Sequence, residues 1–415
     1  MTEVRKQVAL SAFTTLRLGG PARRFVAVPT DTELVTEVRA ADERGEPLLV
    51  LGGGSNLVVA DEGFAGTVVR VATKGVRCAG AGGHGAGAGS RGPGAGSRGT
   101  GAGSRGPGAD PVMVTVAAGE DWDSVVAWSV SEGLAGLECL SGIPGLAGAT
   151  PIQNVGAYGQ EVAEAITTVR AYDRTRREIT ELAAADCGFG YRTSAFKRDT
   201  HGSAGTGTHG GGPAGPGGSA GTGAPRVSGR FVVLDVTFQL ARSPMSAPVR
   251  YGELAAALGV AEGGSAPLAD VRSAVLGLRR AKGMVLDPAD PDTRSAGSFF
   301  TNPVLDEEQF VALEQAVAAT LGPGVVIPQF PAPGGLVKVS AAWLIERAGF
   351  GKGYPGPGRN GTGPRISTKH TLALVNPGGA TVASLLGLAR EVRDGVRGSF
   401  GVELTPEPVL VGAHL

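Results

Sequence analysis

Hydrophobic and polar positions repeat with helix and strand periods in the first part of the chain. Thr30–Glu33 has the form of a helix capping box, and apolar residues follow at helical spacing over Leu34–Ala41. The short apolar run Pro47–Leu51 predicts a buried strand, and Leu57–Val59 and Thr67–Val71 predict two more. The pattern therefore indicates a small β-α-β-β unit.

Strands dominate the pattern in the middle of the chain and helices dominate it towards the end. One helix is expected to bury Trp122, Val125, Val126 and Val130 on one face. Further helices are predicted at Ala269–Lys282, Asp306–Leu321, Ala341–Ala348 and Thr381–Val396. Strands are predicted at Val112–Ala117, Val169–Tyr172, Arg230–Leu240, near Val337, and at Leu372–Val375, Phe400–Leu404 and Val409–Val411. We therefore predict an α+β fold with lobes over residues 1–74, 75–245 and 246–398, followed by C-terminal strands over 399–415.

Two segments, about 80–110 and 201–228, interrupt this pattern. The chain has 70 glycines, far more than usual, and the excess is concentrated in these segments. They are rich in Gly, Ala, Ser and Pro, so they cannot bury enough apolar surface to offset the entropy of ordering them. We predict that both are disordered insertions in surface loops. The Arg-Gly repeats of the first leave loose RNA binding open as an alternative.

Charge and cysteine content narrow the class of protein. Lys+Arg and Asp+Glu are equal at 38 each, which argues against a nucleic acid or anionic membrane recognised by bulk charge. No secretory signal or membrane-spanning apolar run is found, and no His/Cys/carboxylate cluster has metal-ligand spacing. Cys78, Cys139 and Cys187 are widely spaced and favour reduced thiols. We expect a cytoplasmic monomer that acts on a small molecule and uses no metal.

A glycine-rich turn, Gly52-Gly53-Gly54-Ser55-Asn56, joins two predicted strands and leads into Leu57. Successive N–H groups in such a turn can form a nest that holds phosphate oxygens. It is neither the G-x-G-x-x-G fingerprint nor a Walker A loop, because no helix and no Lys-Ser/Thr pair follows. This motif alone does not exclude a plain tight turn that binds nothing.

A second segment dense in small residues, Ser141–Gly159, is not repetitive. Its glycines allow close backbone contact with a flat ligand, and Gln153 and Asn154 can hydrogen-bond to ring heteroatoms. A long constrained loop of this kind is typical of a functional site.

These segments, together with Thr15–Gly20 and Leu51–Asn56, resemble the UDP-N-acetylenolpyruvoylglucosamine reductase family over nearly the whole chain except the two insertions. The resemblance implies an FAD-binding fold of the vanillyl-alcohol-oxidase (PCMH) type in the first two lobes and a substrate-binding domain in the third. It implies non-covalent FAD, with NADPH as the hydride donor. The implied FAD contacts are Gly52, Gly53, Gly54, Ser55, Asn56, Leu57, Ser141, Gly142, Ile143, Gly148, Ala149, Gln153, Asn154, Gly156 and Tyr158.

The resemblance also implies the reaction. UDP-N-acetylglucosamine enolpyruvate is reduced to UDP-N-acetylmuramate for peptidoglycan synthesis, with hydride passing from flavin N5 to C3 and a proton to C2. Arg192, within Gly190–Lys197, would hold the substrate carboxylate, and Ser298, within Gly297–Pro303, would protonate C2.

The implied third catalytic residue is Glu407, on the C-terminal segment that returns to the active site. Pro408 stands where the family usually has Val, so Glu403 is the alternative. Tyr251, Lys282 and Asn302 match contacts to the substrate diphosphate. Two other classes remain open: a flavoprotein oxidase or dehydrogenase of the same fold, and a nucleotide-binding protein without catalysis.

Overall fold

The structure is a computed structural model that describes residues 3–80, 111–198, 228–356 and 361–415. Most of each predicted insertion, and therefore its predicted disorder, lies outside these residues. The chain divides into two compact units. The first unit contains Met1–Val71, Arg198–Arg230 and Arg279–Leu415, and the second contains Ala72–Lys197 and Phe231–Leu278.

The first unit opens with a four-stranded sheet and a helix. Its elements are β1 (Val4–Ala9), β2 (Pro21–Val28), α1 (Asp31–Glu43), β3 (Leu48–Leu51), β4 (Leu57–Val59) and β5 (Phe64–Val71). The strand order is β1-β2-β5-β3, with β5 parallel to both β2 and β3. The predicted cap is confirmed, because the Thr30 hydroxyl accepts from the Glu33 N–H at 3.2 Å. Phe25, Leu49 and Val68 are buried in the core beneath.

The second unit is built on a largely antiparallel sheet. Its strands are β6 (Val76–Gly80), β7 (Pro111–Ala117), β8 (Leu134–Ala135), β9 (Gly156–Ala157), β10 (Gln160–Glu161), β11 (Ile166–Asp173), β12 (Glu178–Ala183) and β13 (Phe231–Arg242). Its helices are α2 (Trp122–Ser131), α3 (Ala195–Arg198), α4 (Gly252–Leu258) and α5 (Leu268–Ala281), the last residues of α3 and α5 being counted with the first unit. The main order is β12-β11-β13-β7-β6, with β8 also pairing β13. Trp122 and Phe238 pack at 5.7 Å between ring centroids.

The remainder of the first unit is helix-rich. It contains β14 (Val304–Leu305), α6 (Glu307–Leu321), β15 (Gln329–Ala332), β16 (Leu336–Val339), α7 (Ala341–Arg347), β17 (Arg365–Ile366), β18 (Leu374–Val375), α8 (Val382–Phe400) and β19 (Val409–Val411). Helix α8 buries a long apolar stripe in a core that also includes Leu313, Leu344 and Phe299. No helix in the described ranges combines the length and apolar character needed to cross a bilayer.

The predicted α+β class is confirmed, but two local expectations need correction. Phe400–Leu404 is not a strand: α8 continues through Phe400, whose side chain extends the buried stripe of Val392 and Val396, and Gly401 ends the helix at φ 72°. In addition, β4 is not part of the sheet that contains β3 and β5; it pairs in parallel with β19 instead. The division into three functional lobes remains a prediction.

Candidate active site

The glycine-rich turn lies between β3 and β4 and is shaped by its neighbour Phe13. Gly54 has φ 63°, and a Cβ at this position would lie 1.9 Å from the Phe13 carbonyl oxygen. The Thr15 N–H donates to the Gly54 oxygen at 3.2 Å. Among the described residues, none accepts a hydrogen bond from the backbone N–H of Gly53, Gly54 or Ser55. These donors are therefore free for an anionic ligand, as the nest hypothesis requires.

The C-terminal segment brings three predicted residues together around the turn. Val409 N–H donates to the Asn56 oxygen at 3.0 Å, and the Asn56 side-chain amide donates to the Glu407 oxygen at 3.4 Å. Glu407 N–H in turn donates to the Phe299 oxygen at 2.8 Å, which places Glu407 beside the residue that follows Ser298. Parallel pairing of β19 on β4 is thus the reason that residues far apart in sequence meet here.

The two candidate glutamates have different surroundings. Glu403 is exposed and pairs with two arginines of α8, at 3.7 Å from Arg393 and 3.3 Å from Arg397. Glu407 is half-buried and its backbone is tied to Phe299 and Asn56. The surface ion pairs give Glu403 a sufficient structural role, so Glu407 is the better candidate for chemistry.

Ser298 sits on a segment whose backbone is held from both sides. The Phe299 N–H donates to the Leu372 oxygen at 2.7 Å, and the Thr15 hydroxyl donates to the Ser295 oxygen at 2.5 Å. The Ser298 side chain is half-buried, and its hydroxyl makes no hydrogen bond with a described residue. A fixed backbone with an uncommitted hydroxyl is what proton donation to a bound ligand needs.

Asp292 anchors the start of that segment. Its buried carboxylate accepts hydrogen bonds from Arg365 at 2.7 Å and from the Thr368 N–H at 2.9 Å. The hydroxyls of Thr368 and Ser367 also donate hydrogen bonds to it. Burial alone would raise the pKa of Asp292, but the hydrogen bonds from Thr368 and Arg365 outweigh it and lower that pKa. Asp292 is therefore a stabilised carboxylate in a structural role.

In the second unit, the loop Ser141–Gly159 is fixed at its first turn by charged side chains. The Gly142 N–H donates to the Asp123 carboxylate at 2.6 Å, and Arg272 holds that carboxylate bidentately at 2.6 and 2.9 Å. Further along, Gly148 N–H donates to the Ala118 oxygen at 2.9 Å, and a Cβ on Gly148 would come within 2.4 Å of Ala118 Cβ. The glycines thus serve packing as well as any ligand contact.

Asn154 and Arg192 lie together, as expected for one site. Arg192 Nη2 donates to the Gly156 oxygen at 2.8 Å, and both Asn154 and Arg192 have left-handed backbones, at φ 42° and 53°. The Asn154 amide donates to Glu161 at 2.7 Å and to the Gly190 oxygen at 3.1 Å. Its side chain therefore holds the loop, and any ring contact from Asn154 stays a prediction.

Each predicted substrate residue has its own local surroundings in the structure. Tyr251 is 41% exposed and packs edge-on against Tyr158, with 5.5 Å between ring centroids. The Asn302 side-chain oxygen accepts from the Ala341 N–H at the start of α7, at 3.0 Å. Lys282 follows α5 and contributes positive charge near His370. Burial first, and then the charges of Lys282 and Lys352, lower the pKa of His370 to about 4.

The cysteines offer no reactive thiol in the interior. All three are free, with Cys78 exposed and the other two buried. Burial raises the pKa of Cys139 to about 12 and that of Cys187 to about 11, so both remain protonated near neutral pH. Within the described residues, no group of three or more His, Cys, Asp and Glu could hold a metal.

Three supporting residues carried no sequence signal of their own. Asp123 and Arg272 orient Gly142, and Glu161 accepts from Asn154. Arg272 acts through a contact 149 residues away in sequence, Asp123 through one 19 residues away, and Glu161 through a loop contact only seven residues away. No motif in the sequence marks any of the three.

Comparison with known proteins agrees with this architecture. A family model for the UDP-N-acetylenolpyruvoylglucosamine reductase C-terminal domain matches residues 288–411. The chain is 52% identical to the UDP-N-acetylenolpyruvoylglucosamine reductase of Thermobifida fusca, covering 100% of this chain and 99% of that one. It is 51% identical to the protein of the same name from Saccharopolyspora erythraea, covering 98% and 95%. A crystal structure of this reductase from Thermus caldophilus shares the fold, with 22% identity, a TM-score of 0.56, and coverage of 99% and 100%.

Fold and site together define an α+β protein with a glycine-rich, anion-competent turn and a second constrained loop. The full-length identity then makes the assignment specific: the chain belongs to the UDP-N-acetylenolpyruvoylglucosamine reductase family.

Proposed function

We propose that this chain reduces the enolpyruvyl group of UDP-N-acetylglucosamine enolpyruvate to give UDP-N-acetylmuramate for peptidoglycan synthesis, using FAD and NADPH. The observation that carries the proposal is the meeting of Asn56, Glu407 and the Ser298 segment around the turn. Identity of 52% to a reductase of this name over the full chain supports the same reaction. The soluble substrates imply a cytoplasmic enzyme.

The glycine-rich turn fits the pyrophosphate of FAD. The N–H groups of Gly53, Gly54 and Ser55 donate to no described acceptor, and such a set of donors suits phosphate oxygens. Ser141–Gly159 would supply the remaining flavin contacts through Ser141, Gly142 and Gln153. When bound, FAD supplies hydride chemistry that amino acid side chains cannot perform.

Arg192 would stabilise the substrate carboxylate as charge develops on it. Hydride addition to C3 of the enol ether leaves negative charge that spreads from C2 into the carboxylate. A guanidinium already anchored by its bond to the Gly156 oxygen pairs with that group without having to reorganise.

Ser298 would deliver the proton to C2, and Glu407 would act on the carboxylate side. An alcohol is a weak acid, so it can serve only because the developing carbanion is strongly basic. The half-buried Ser298 hydroxyl, without a described protein partner, is available for this transfer. NADPH and one proton are consumed for each substrate reduced.

The two half-reactions test this function separately. Purified protein should be yellow with bound FAD, and NADPH should bleach the flavin absorbance under anaerobic conditions. Addition of UDP-N-acetylglucosamine enolpyruvate should restore the absorbance and form UDP-N-acetylmuramate. A protein that cannot bind FAD contradicts the proposal, and rapid reoxidation by oxygen alone with no response to the substrate favours an oxidase.

A further inference from the structure

The C-terminal segment first pairs with the residues that follow Ser298. Phe300 lies opposite Pro406 in an antiparallel bridge. Next to that bridge, the Glu407 N–H donates to the Phe299 oxygen at 2.8 Å. This pairing fixes the position of the Glu407 backbone along the Ser298 segment.

Immediately afterwards, the same chain pairs with the strand that leaves the glycine-rich turn. The Val409 N–H donates to the Asn56 oxygen at 3.0 Å, and β19 then runs parallel to β4. Pro408 is the residue between the two pairings; it is buried, and the chain bends there. Pro408 therefore joins the part of the chain that binds the Ser298 segment to the part that binds the turn.

Proline suits this bend because it restricts the backbone around Glu407. The ring of Pro408 holds its own φ near about −65° and disfavours the helical conformation for the residue before it, which keeps Glu407 extended. Pro406 has a restricted φ on the other side of Glu407. Pro408 also has no N–H, so the only backbone donors at the bend are those of Glu407 and Val409, and each has its own acceptor.

We propose that Pro408 is a positioning residue for Glu407. It keeps the Glu407 backbone extended and bends the chain towards β4, so the Glu407 side chain projects from a backbone that is already in place when the substrate binds. A preorganised group loses little conformational freedom in the transition state, which favours the reaction. This inference rests on the proposed function, which assigns Glu407 to the carboxylate side of the enolpyruvyl group.

Replacing Pro408 with residues of greater backbone freedom tests the inference in the FAD-bound enzyme. Pro408→Gly should slow reoxidation of the reduced flavin by saturating UDP-N-acetylglucosamine enolpyruvate about 5- to 30-fold, and Pro408→Ala about 2- to 5-fold, because each releases conformational freedom at the bend. Flavin reduction by NADPH should stay near the parent rate in both variants. Stopped-flow absorbance measures the two half-reactions separately.

Glu407→Gln shows whether the effect passes through the carboxylate. In the Glu407→Gln background, Pro408→Gly should slow reoxidation further by less than about twofold, because the group that it misplaces has already been removed. Pro47→Gly is the matched control. Glu46-Pro47 is the other Glu-Pro pair in the sequence and precedes β3, so this variant should change neither half-reaction.

Reoxidation at the parent rate in Pro408→Gly would overturn the inference, and Pro408→Ala decides in the same way if the glycine variant does not fold. A loss that persists in full in the Glu407→Gln background would also overturn it, since Pro408 would then act through another group. So would equal slowing of both half-reactions, which would indicate a general structural role. A parent enzyme that binds no FAD, or whose reduced flavin is not reoxidised by the substrate, would instead overturn the proposed function itself, and this inference with it.

Discussion

At the scale of single residues, chemical type was readable from the sequence but surroundings were not. Arg192 and Ser298 were chosen because their segments, Gly190–Lys197 and Gly297–Pro303, resemble those of the reductase family, which assigns Arg192 to the carboxylate and Ser298 to the carbanion. That the Asn154 amide is engaged by Glu161 and Gly190, however, follows from a fold that brings these peptides together. Pro408 left the choice between Glu403 and Glu407 open, and their different surroundings favour Glu407.

Ser298→Ala should separate the half-reactions. Flavin reduction by NADPH should stay near the parent rate, whereas reoxidation by the enolpyruvyl substrate should slow about 10²- to 10⁴-fold, because the proposed proton donor is lost. Stopped-flow absorbance measures both steps. Thr301→Ala, which removes a hydroxyl from the same segment, is the control and should change neither. Equal loss in both half-reactions would exclude Ser298 as the donor.

His370 should make the folded state sensitive to acid. The pKa of His370 in the folded protein, about 4, lies below the ordinary value of 6.5. Its contribution to the free energy of unfolding is therefore complete above pH 6.5 and is lost as the pH falls towards 4. His370→Gln should flatten the fall in unfolding free energy over this window by about 2 kcal/mol, allowing for its partial exposure. Urea denaturation between pH 7 and 4.5 measures this, and a slope equal to the parent's would contradict it.

At the scale of elements, helices were predicted best because their ends carry chemical signals. Thr30 caps α1, and apolar spacing located α5 and α6. The error at Phe400 arose because its apolar side chain fits a strand as well as the last turn of α8. The pairing partner of β4 could not be predicted, because the sequence of so short a strand does not specify which distant strand it pairs with.

Gly54 and Gly45 provide a matched pair for the glycine-rich turn. Both have left-handed backbones, but a Cβ on Gly45 meets nothing within 4 Å whereas one on Gly54 overlaps Phe13. Gly45→Ala should lower the free energy of unfolding by about 1 kcal/mol, because alanine disfavours the left-handed conformation. Gly54→Ala should lower it by about 3 kcal/mol or more, because the backbone must also move to make room for the Cβ. Denaturant unfolding measures both.

FAD retention gives the second readout for this pair. Gly54→Ala should release FAD more readily, because displacement of the turn disturbs its donors, whereas Gly45→Ala should retain it. Equal stability and equal retention in the two variants would show that the turn adapts to a side chain at little cost.

At the scale of the whole molecule, segments of the two units alternate along the chain. The first unit takes residues from both ends of the chain, which no local pattern predicts. The low-complexity segments were recognisable from composition alone. The two ends of the first low-complexity segment, about 80–110, are close to each other. They are held together by the pairing of β6 with β7, in which Gly80 lies opposite Val112.

Replacing residues 82–110 with a short hairpin turn should therefore leave activity unchanged. The β6–β7 register already fixes both ends, and a shorter loop should save about 1–2 kcal/mol of closure entropy. Flavin content, turnover and the thermal midpoint are the measurements. A colourless or insoluble product would show that the segment contributes to folding or to cofactor binding.

Local interactions explain what was available from the sequence alone: helix caps, apolar periods, glycine-rich turns and the chemical types of Arg192, Ser298 and Glu407. Contacts between distant segments decided the rest. Parallel pairing of β19 with β4 placed Glu407 beside Asn56, and the hydrogen bonds of Thr15 with Ser295 and of Asn376 with Leu16 fixed the N-terminal segment against distant parts of the first unit. The free energy of such contacts depends on which surfaces meet after folding, so neighbouring residues in the chain cannot specify them.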